Sequence, residues 1–176
     1  MRNLQYRLAE ETDLDAVFEV VQSAVAEMER RGIHQWDSLY PRREDFLEDI
    51  RKKTLYVGLL DGRIAVLFAL SKECDEQYAC GAWNDPGGEY RVIHRLCVDP
   101  AFQNRGVAKE TLAHIENELY KENVESIRLD VFCENPFALA LYRGSGYEAV
   151  GAAHFRKGDF YLMEKRLNTE NAQNKA

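Results

Sequence analysis

The sequence predicts an α/β domain. Short apolar runs alternate with longer segments whose apolar residues recur at helical spacing, along most of the chain. Turn chemistry, not linker composition, separates them, and there is no internal repeat or low-complexity tract. The 176 residues are 45% hydrophobic, enough for one domain with a real core.

Gln5–Leu8 reads as a short strand. Thr12 then caps a helix, with Asp15 at capping-box spacing, and Leu14, Val17, Phe18, Val21, Val25 and Met28 mark its apolar face. Gly32 ends it. The aromatic-bearing connection "IHQWDSLYP" leads to a second helix from about Arg43 to Lys53. "TLYVGLL" and "RIAVLFALS" form a hairpin around Asp61-Gly62. Residues 72–88 form a loop holding Pro86, Gly87 and Gly88. The strand "EYRVIHRLCV" follows, and Asp99-Pro100 stops it. Val107, Thr111, Leu112, Ile115 and Leu119 make an amphipathic helix, and "SIRLDVF" is the next strand. "NPFALALYRGSGY" is a short helix capped by Asn135, with Pro136 at its first position. Strands near Glu148–Phe155 and Asp159–Arg166 close a domain over residues 4–167, and 168–176 read as a polar, disordered tail.

Composition excludes some functions. A net charge of −7 and a pI near 5.2 argue against a nucleic-acid binder, although a few backbone N–H groups can hold a phosphate on an acidic protein. The N-terminal "MRNLQYRLAEETD" has no apolar stretch of the kind a secretory signal carries, and no run approaches a membrane span. Cys74, Cys80, Cys97 and Cys133 form no CxxC pair. They read as reduced core or near-core thiols of a cytoplasmic protein.

The stretch "QNRGVAKE", residues 103–110, lies between strand and helix. A strand, a Gly-containing turn and a helix start form an arrangement that binds phosphates, because the first helical turn has unpaired N–H groups and the positive end of the dipole. Gly106 removes the Cβ that would block close approach, and Ala108 is the next smallest choice. A plain connecting loop with one Gly is the other reading of this stretch alone. It is neither a Walker loop nor a dinucleotide fingerprint, since "GSGY" at 144–147 ends a helix.

Gln103-Asn104-Arg105-Gly106-Val107-Ala108 resembles the Gln/Arg-x-x-Gly-x-Gly/Ala motif of the GNAT superfamily of N-acetyltransferases, with Ala108 where Gly is common. "RLCVDPAFQNRGVA" is similar to that family's strand, Pro-containing loop and helix start, and "ENPFALALYRGSGY" to its Asn-x-x-Ala-x-x-x-Tyr segment. The resemblance is strongest over residues 89–150. It implies a GNAT-like single domain: a mixed, mainly antiparallel sheet of about six to seven strands flanked by about four helices. It also implies acetyl-CoA as co-substrate and no metal. The backbone of Leu96, Cys97 and Val98 would hold the pantetheine arm, freed by a splay between this strand and the next. The turn Gln103–Lys109 (Asn104, Arg105, Gly106, Val107, Ala108 and Lys109 above all) would hold the pyrophosphate. Asn135 would contact the pantetheine or an ordered water, and Tyr142 would lie near the CoA sulfur.

Spacing supports the last pair independently. Asn135 and Tyr142 are seven residues apart, about two helical turns, and so share a helix face. A helix cap and a core aromatic are the plainer readings of the two.

The chemistry implied is attack of an amine on a thioester. The amine must arrive unprotonated, which requires a base or a water chain to one. The oxyanion requires a donor, such as a backbone N–H near Val98, and the departing thiolate gains from a nearby hydroxyl. Transfer is direct, through a ternary complex, since no Cys–His pairing is visible. Two candidates stand for the base. Strand alternation puts Tyr90, Val92, His94, Leu96 and Val98 on one face, which makes His94 a candidate beside a buried sheet histidine. Glu89 at the strand's start is a second candidate beside a solvated carboxylate. Arg91 and Arg95 face the other way, as surface charges or as partners of acids such as Asp130.

In the GNAT pattern the first two helices and their connection cover the acceptor site. Trp36 and Tyr40 are therefore candidate pocket walls and Asp37 a candidate partner for an ammonium. The aromatics read equally as a cluster capping the core, and His34 as a solvated loop residue. The expected partner is a small-molecule or peptide amine, with no nucleic acid and no membrane, and a homodimer stays open. A CoA-binding sensor or regulatory module without turnover is the alternative from another class.

Overall fold

The computed structural model describes residues 4–167, so the expected tail lies outside the described residues. Seven strands share one sheet: β1 (Gln5–Leu8), β2 (Leu55–Leu60), β3 (Arg63–Ser71), β4 (Tyr90–Val98), β5 (Ser126–Phe132), β6 (Glu148–Phe155) and β7 (Gly158–Arg166). Their order is β1-β2-β3-β4-β5-β7-β6. The α-helices are α1 (Leu14–Arg30), α2 (Arg43–Arg51), α3 (Val107–Lys121) and α4 (Pro136–Gly144). The β1/β2, β2/β3, β5/β7 and β6/β7 pairs are antiparallel and β4/β5 is parallel. The expected mixed, mainly antiparallel sheet with four helices is therefore the architecture.

Contacts along the chain group it into two compact units. The first is Met1–Leu70 with His94–Thr111; the second is Ser71–Ile93 with Leu112–Ala176.

In the first unit, α1 buries Leu14, Val17, Val20, Val21 and Ala24 against Phe46 and Ile50 of α2 and Leu55, Val57, Leu67 and Ala69 of the hairpin. Each Val, Leu, Ile or Phe side chain among them, removed from water, contributes about 1.5–3 kcal/mol. A second cluster joins Ala65 and Val66 of β3 to Phe102 and Val107, with Leu96 and Val98 of β4 packed on it. The helix start differs from the expectation at Thr12 and Asp15. A short 3₁₀ turn, Glu11–Asp13, precedes α1, and the Asp13 carboxylate accepts the Glu10 N–H at 2.8 Å while Arg7 donates to it at 2.6 Å. Asp15 instead pairs with Arg43. The hairpin turn is as expected: Asp61 (φ 52°) and Gly62 (φ 76°) are both left-handed, the requirement of a two-residue turn that follows strand twist.

In the second unit, α3 buries Leu112, Ile115 and Leu119, and β5 buries Ile127, Leu129 and Val131. The β4–β5 register covers Tyr90↔Ser126, Arg91↔Ile127 and Val92↔Arg128, while β5 continues to Phe132. Residues 72–88 are more organised than a plain loop. A 3₁₀ turn spans Glu76–Cys80, and the Trp83 indole N–H donates to the Tyr78 carbonyl at 2.8 Å. Arg128, 5% exposed, holds the loop's end. Its guanidinium lies 4.6 Å from the Trp83 ring centre and 3.9 Å from that of Tyr90, and donates to the Asp85 carbonyl at 2.8 Å. Glu164 faces it at 3.4 Å and accepts the Asn84 backbone N–H at 2.9 Å. A buried charge persists only when paired and hydrogen-bonded, and this one is both.

Candidate active site

The turn between β4 and α3 has the geometry its residues call for. Asn104 (φ 57°) and Gly106 (φ 78°) are both left-handed, a conformation Gly adopts freely and Asn tolerates. The Glu110 N–H donates to the Gly106 carbonyl at 3.0 Å, so the N–H groups at 107–109 belong to the first turn, which an α-helix cannot pair within itself. Val107 is 1% exposed and anchors the helix start in the core. Gln103 ties the turn to the strand, its side-chain amide donating to the Val98 carbonyl at 3.3 Å and accepting from Arg31 at 3.5 Å. The Arg105 guanidinium lies 5.8 Å from the centre of the Phe102 ring. Ala108 is half-buried and Lys109 exposed.

β4 departs from the expected alternation. Arg95 has φ 53°, a left-handed residue inside a strand. The reversal breaks strict alternation there, so Leu96 and Val98 do not continue the face of Tyr90, Val92 and His94. Beyond it Cys97 packs in the α1–α2 cluster, while Leu96 and Val98 pack beside Val107. The Arg95 side chain goes to α2, where its Nε donates to Asp49 at 2.9 Å and its Nη2 at 2.6 Å. Nη1 donates to the Tyr40 hydroxyl at 2.8 Å. Arg95 thus pairs with Asp49 and not with Asp130, and Arg91 pairs with Glu89 at 3.3 Å.

The connection between α1 and α2 is tied down at three points. Trp36, 8% exposed, is part of the α1–α2 core cluster, which supports its capping role. The Asp37 carboxylate accepts the N–H groups of Leu39 (2.9 Å) and Tyr40 (3.2 Å) and so organises its own turn. Tyr40 is 39% exposed and held by Arg95. His94, Leu96–Val98, the turn 103–109 and this connection all belong to the first unit.

Glu89, Asn135 and Tyr142 belong to the second. The Asn135 side chain accepts the Ala138 N–H at 3.1 Å and caps α4. Tyr142 is 8% exposed and its pKa is raised by burial and then by the charge of Asp130. Asp130 itself accepts the Tyr78 hydroxyl at 2.7 Å. Glu89 is exposed, and its carboxyl is held low by the Lys72 ammonium, 2.6 Å away. Burial, with Asp99 adding, pushes the Cys97 thiol up to about 12, while Cys74 and Cys80 are exposed and not core thiols. Among the described residues no group of His, Cys, Asp and Glu could hold a metal ion, and no helix is long and apolar enough to cross a membrane.

Comparison with known proteins makes the chain an acyltransferase. The profile of the Acetyltransferase (GNAT) family matches residues 22–147, and the chain belongs to that family. A protein of Bacillus subtilis (strain 168) called uncharacterized N-acetyltransferase YesJ is 28% identical over 143 residues, 80% of this chain and 77% of its own length. The ribosomal protein bS18-alanine N-acetyltransferase of Escherichia coli (strain K12) is 34% identical over 56 residues, 32% of this chain and 38% of that enzyme. A crystal structure of a GNAT-family acetyltransferase from Streptococcus agalactiae 2603 has a TM-score of 0.83 at 26% identity, over 93% of this chain and 95% of that one.

Proposed function

We propose that the chain moves an acetyl group from acetyl-CoA directly to a primary amine of a small molecule, peptide or protein. The observation that carries this reading is the turn at Asn104 and Gly106, whose left-handed residues open α3, where the first N–H groups have no partner within the helix. The pyrophosphate binds there and the pantetheine arm along the backbone of Leu96–Val98. The amine nitrogen attacks the thioester carbonyl, and a backbone N–H near Val98 stabilises the oxyanion. The C–S bond then breaks, the CoA thiolate takes a proton from the Tyr142 hydroxyl, and the amine gives up its own proton to the base. That base is reached directly or through a water chain: His94 no longer shares the face of Leu96 and Val98, and the low pKa of Glu89 makes it a weak base near neutral pH. A thiol pushed up to about 12 stays protonated, so Cys97 carries no acyl group. The bS18-alanine relative supports a peptide or protein amine among the acceptors.

The test combines binding and turnover. Acetyl-CoA at 100 times Kd stabilises the protein by about 2.7 kcal/mol, and Gly106→Glu, which sets bulk and charge against the pyrophosphate, abolishes that gain. A panel of amines is then read by free thiol release and product mass. A folded Gly106→Glu protein with the full shift overturns the phosphate assignment, and thiol release without any acetylated amine overturns amine transfer.

A further inference from the structure

Beside Tyr142 is a set of buried polar atoms without matches. Tyr147 is 2% exposed, and its ring meets that of Tyr142 edge-on, with centres 5.7 Å apart and planes at 67°. Its hydroxyl is sealed from solvent and has no hydrogen-bond partner, and the same holds for Glu116 Oε1 and Ser145 Oγ. Lys165 draws the three residues together. Its Nζ donates to Glu116 Oε2 at 2.7 Å and to the Ser145 carbonyl at 2.7 Å, and lies 5.7 Å from the Tyr147 ring centre. The pKa of Tyr147 is raised by burial, then by the Glu116 charge, and a contact of its hydroxyl with that carboxylate adds to it, although the contact is too long or too bent to be a hydrogen bond.

Unmatched buried polar atoms are rare, and three in one cluster are rarer. Their chemistry is complementary to water. Glu116 Oε1 only accepts, whereas the two hydroxyls each donate or accept, so the set matches in number and kind the roughly three hydrogen bonds typical of buried water. Glu116 and Lys165 also line an open groove with Ala113, Asn117 and Tyr120.

We propose that Glu116, Ser145, Tyr147 and Lys165 hold one shared ordered water and are the positioning residues for Tyr142. A Tyr147 hydroxyl held by that water fixes the ring tilt, and the edge-on contact passes this on to Tyr142. The inference rests on the reading of Tyr142 as the proton donor to the CoA thiolate.

Tyr147→Phe, Tyr142→Phe and the double variant test it, with the fastest amine of the panel as acceptor. Tyr147→Phe lowers Tm by about 2–4 °C, because the water loses a partner and Glu116 keeps its charge. It lowers kcat about 5- to 10-fold and leaves acetyl-CoA Kd unchanged, since misplacement of a reacting group acts on the chemical step. In the Tyr142→Phe background it lowers kcat no further, as expected of a residue that acts only through Tyr142. Ser145→Ala lowers Tm in the same direction. A Tyr147→Phe protein as stable as wild type or more so overturns the water, because removing a hydroxyl that has no partner costs nothing. Wild-type kcat, or an equal fall in both backgrounds, overturns the positioning role. Tyr142→Phe with wild-type kcat overturns the proton-donor reading, and the positioning role falls with it.

Discussion

Tyr142 combines a polar end with a buried body. Burial and the nearby charge of Asp130 hold its hydroxyl protonated well beyond neutral pH. A group so held suits a proton donor and not a base. Tyr142→Phe keeps the ring and its contact with Tyr147, so packing survives. It lowers kcat on the order of 10²-fold, about 2.7 kcal/mol of barrier, with acetyl-CoA Kd unchanged, as titration and steady-state kinetics on one preparation will show. A folded variant with wild-type kcat removes the residue from catalysis. Tyr142 and Asn135 were legible in the sequence because seven-residue spacing is a property of the helix itself. Asp130 was not legible as the acid facing Tyr78 and Tyr142. Its partner Tyr78 lies on a stretch with no periodicity, and a hydrogen bond across 52 positions leaves no mark in spacing.

At the level of elements, α2 and β4 are joined by a buried ion pair. The side chains of Asp49 and Arg95 are 10% and 16% exposed, and Arg95 holds Tyr40 as well. Removing one partner of such a pair leaves the other buried and unmatched. Asp49→Ala is therefore expected to lose about 3–5 kcal/mol in urea unfolding, and adding Arg95→Met to recover part of it. A loss below about 1 kcal/mol would mean that the pair is screened as a surface pair is. Most element bounds were readable, since apolar period and turn residues such as Asp61-Gly62 are local signals. The left-handed Arg95 was not. Gly and Asn announce positive φ, whereas an Arg carries it only when surrounding contacts impose it. The break in β4 alternation therefore went unseen, and with it the Asp49 partner.

Across the whole molecule, acids are paired with bases along the surface. Glu27 is pulled to about 2 by Arg30 and Arg31, and Asp13, Glu48, Glu89 and Glu118 are lowered first by hydrogen bonds from Arg7, Lys52, Lys72 and Lys121. Folded-state values below the unfolded ones mean that the unfolded chain binds more protons in this range. The stability contributed is present above the ordinary Glu value of 4.5 and is lost as pH falls toward 2. Calorimetry should give a lower Tm at about pH 3 than at pH 7, with added salt narrowing the gap. A Tm independent of pH over that range would show that these pairs contribute nothing. Fold class was the most legible level of all. It rests on many weak, concordant signals spread over the chain, and a misplaced cap at Thr12 or an unseen bend at Arg95 does not disturb their sum.

The chain has two tryptophans, and they fall one to each compact unit. Trp36 is sealed in the α1–α2 cluster, and Trp83 is stacked on Tyr78 at 5.6 Å with the Arg128 guanidinium over it. With either one replaced by Phe, the tryptophan emission that is left comes from a single unit. The protein thus carries two built-in fluorophores, and the order in which its halves lose structure can be read by light without attaching a label.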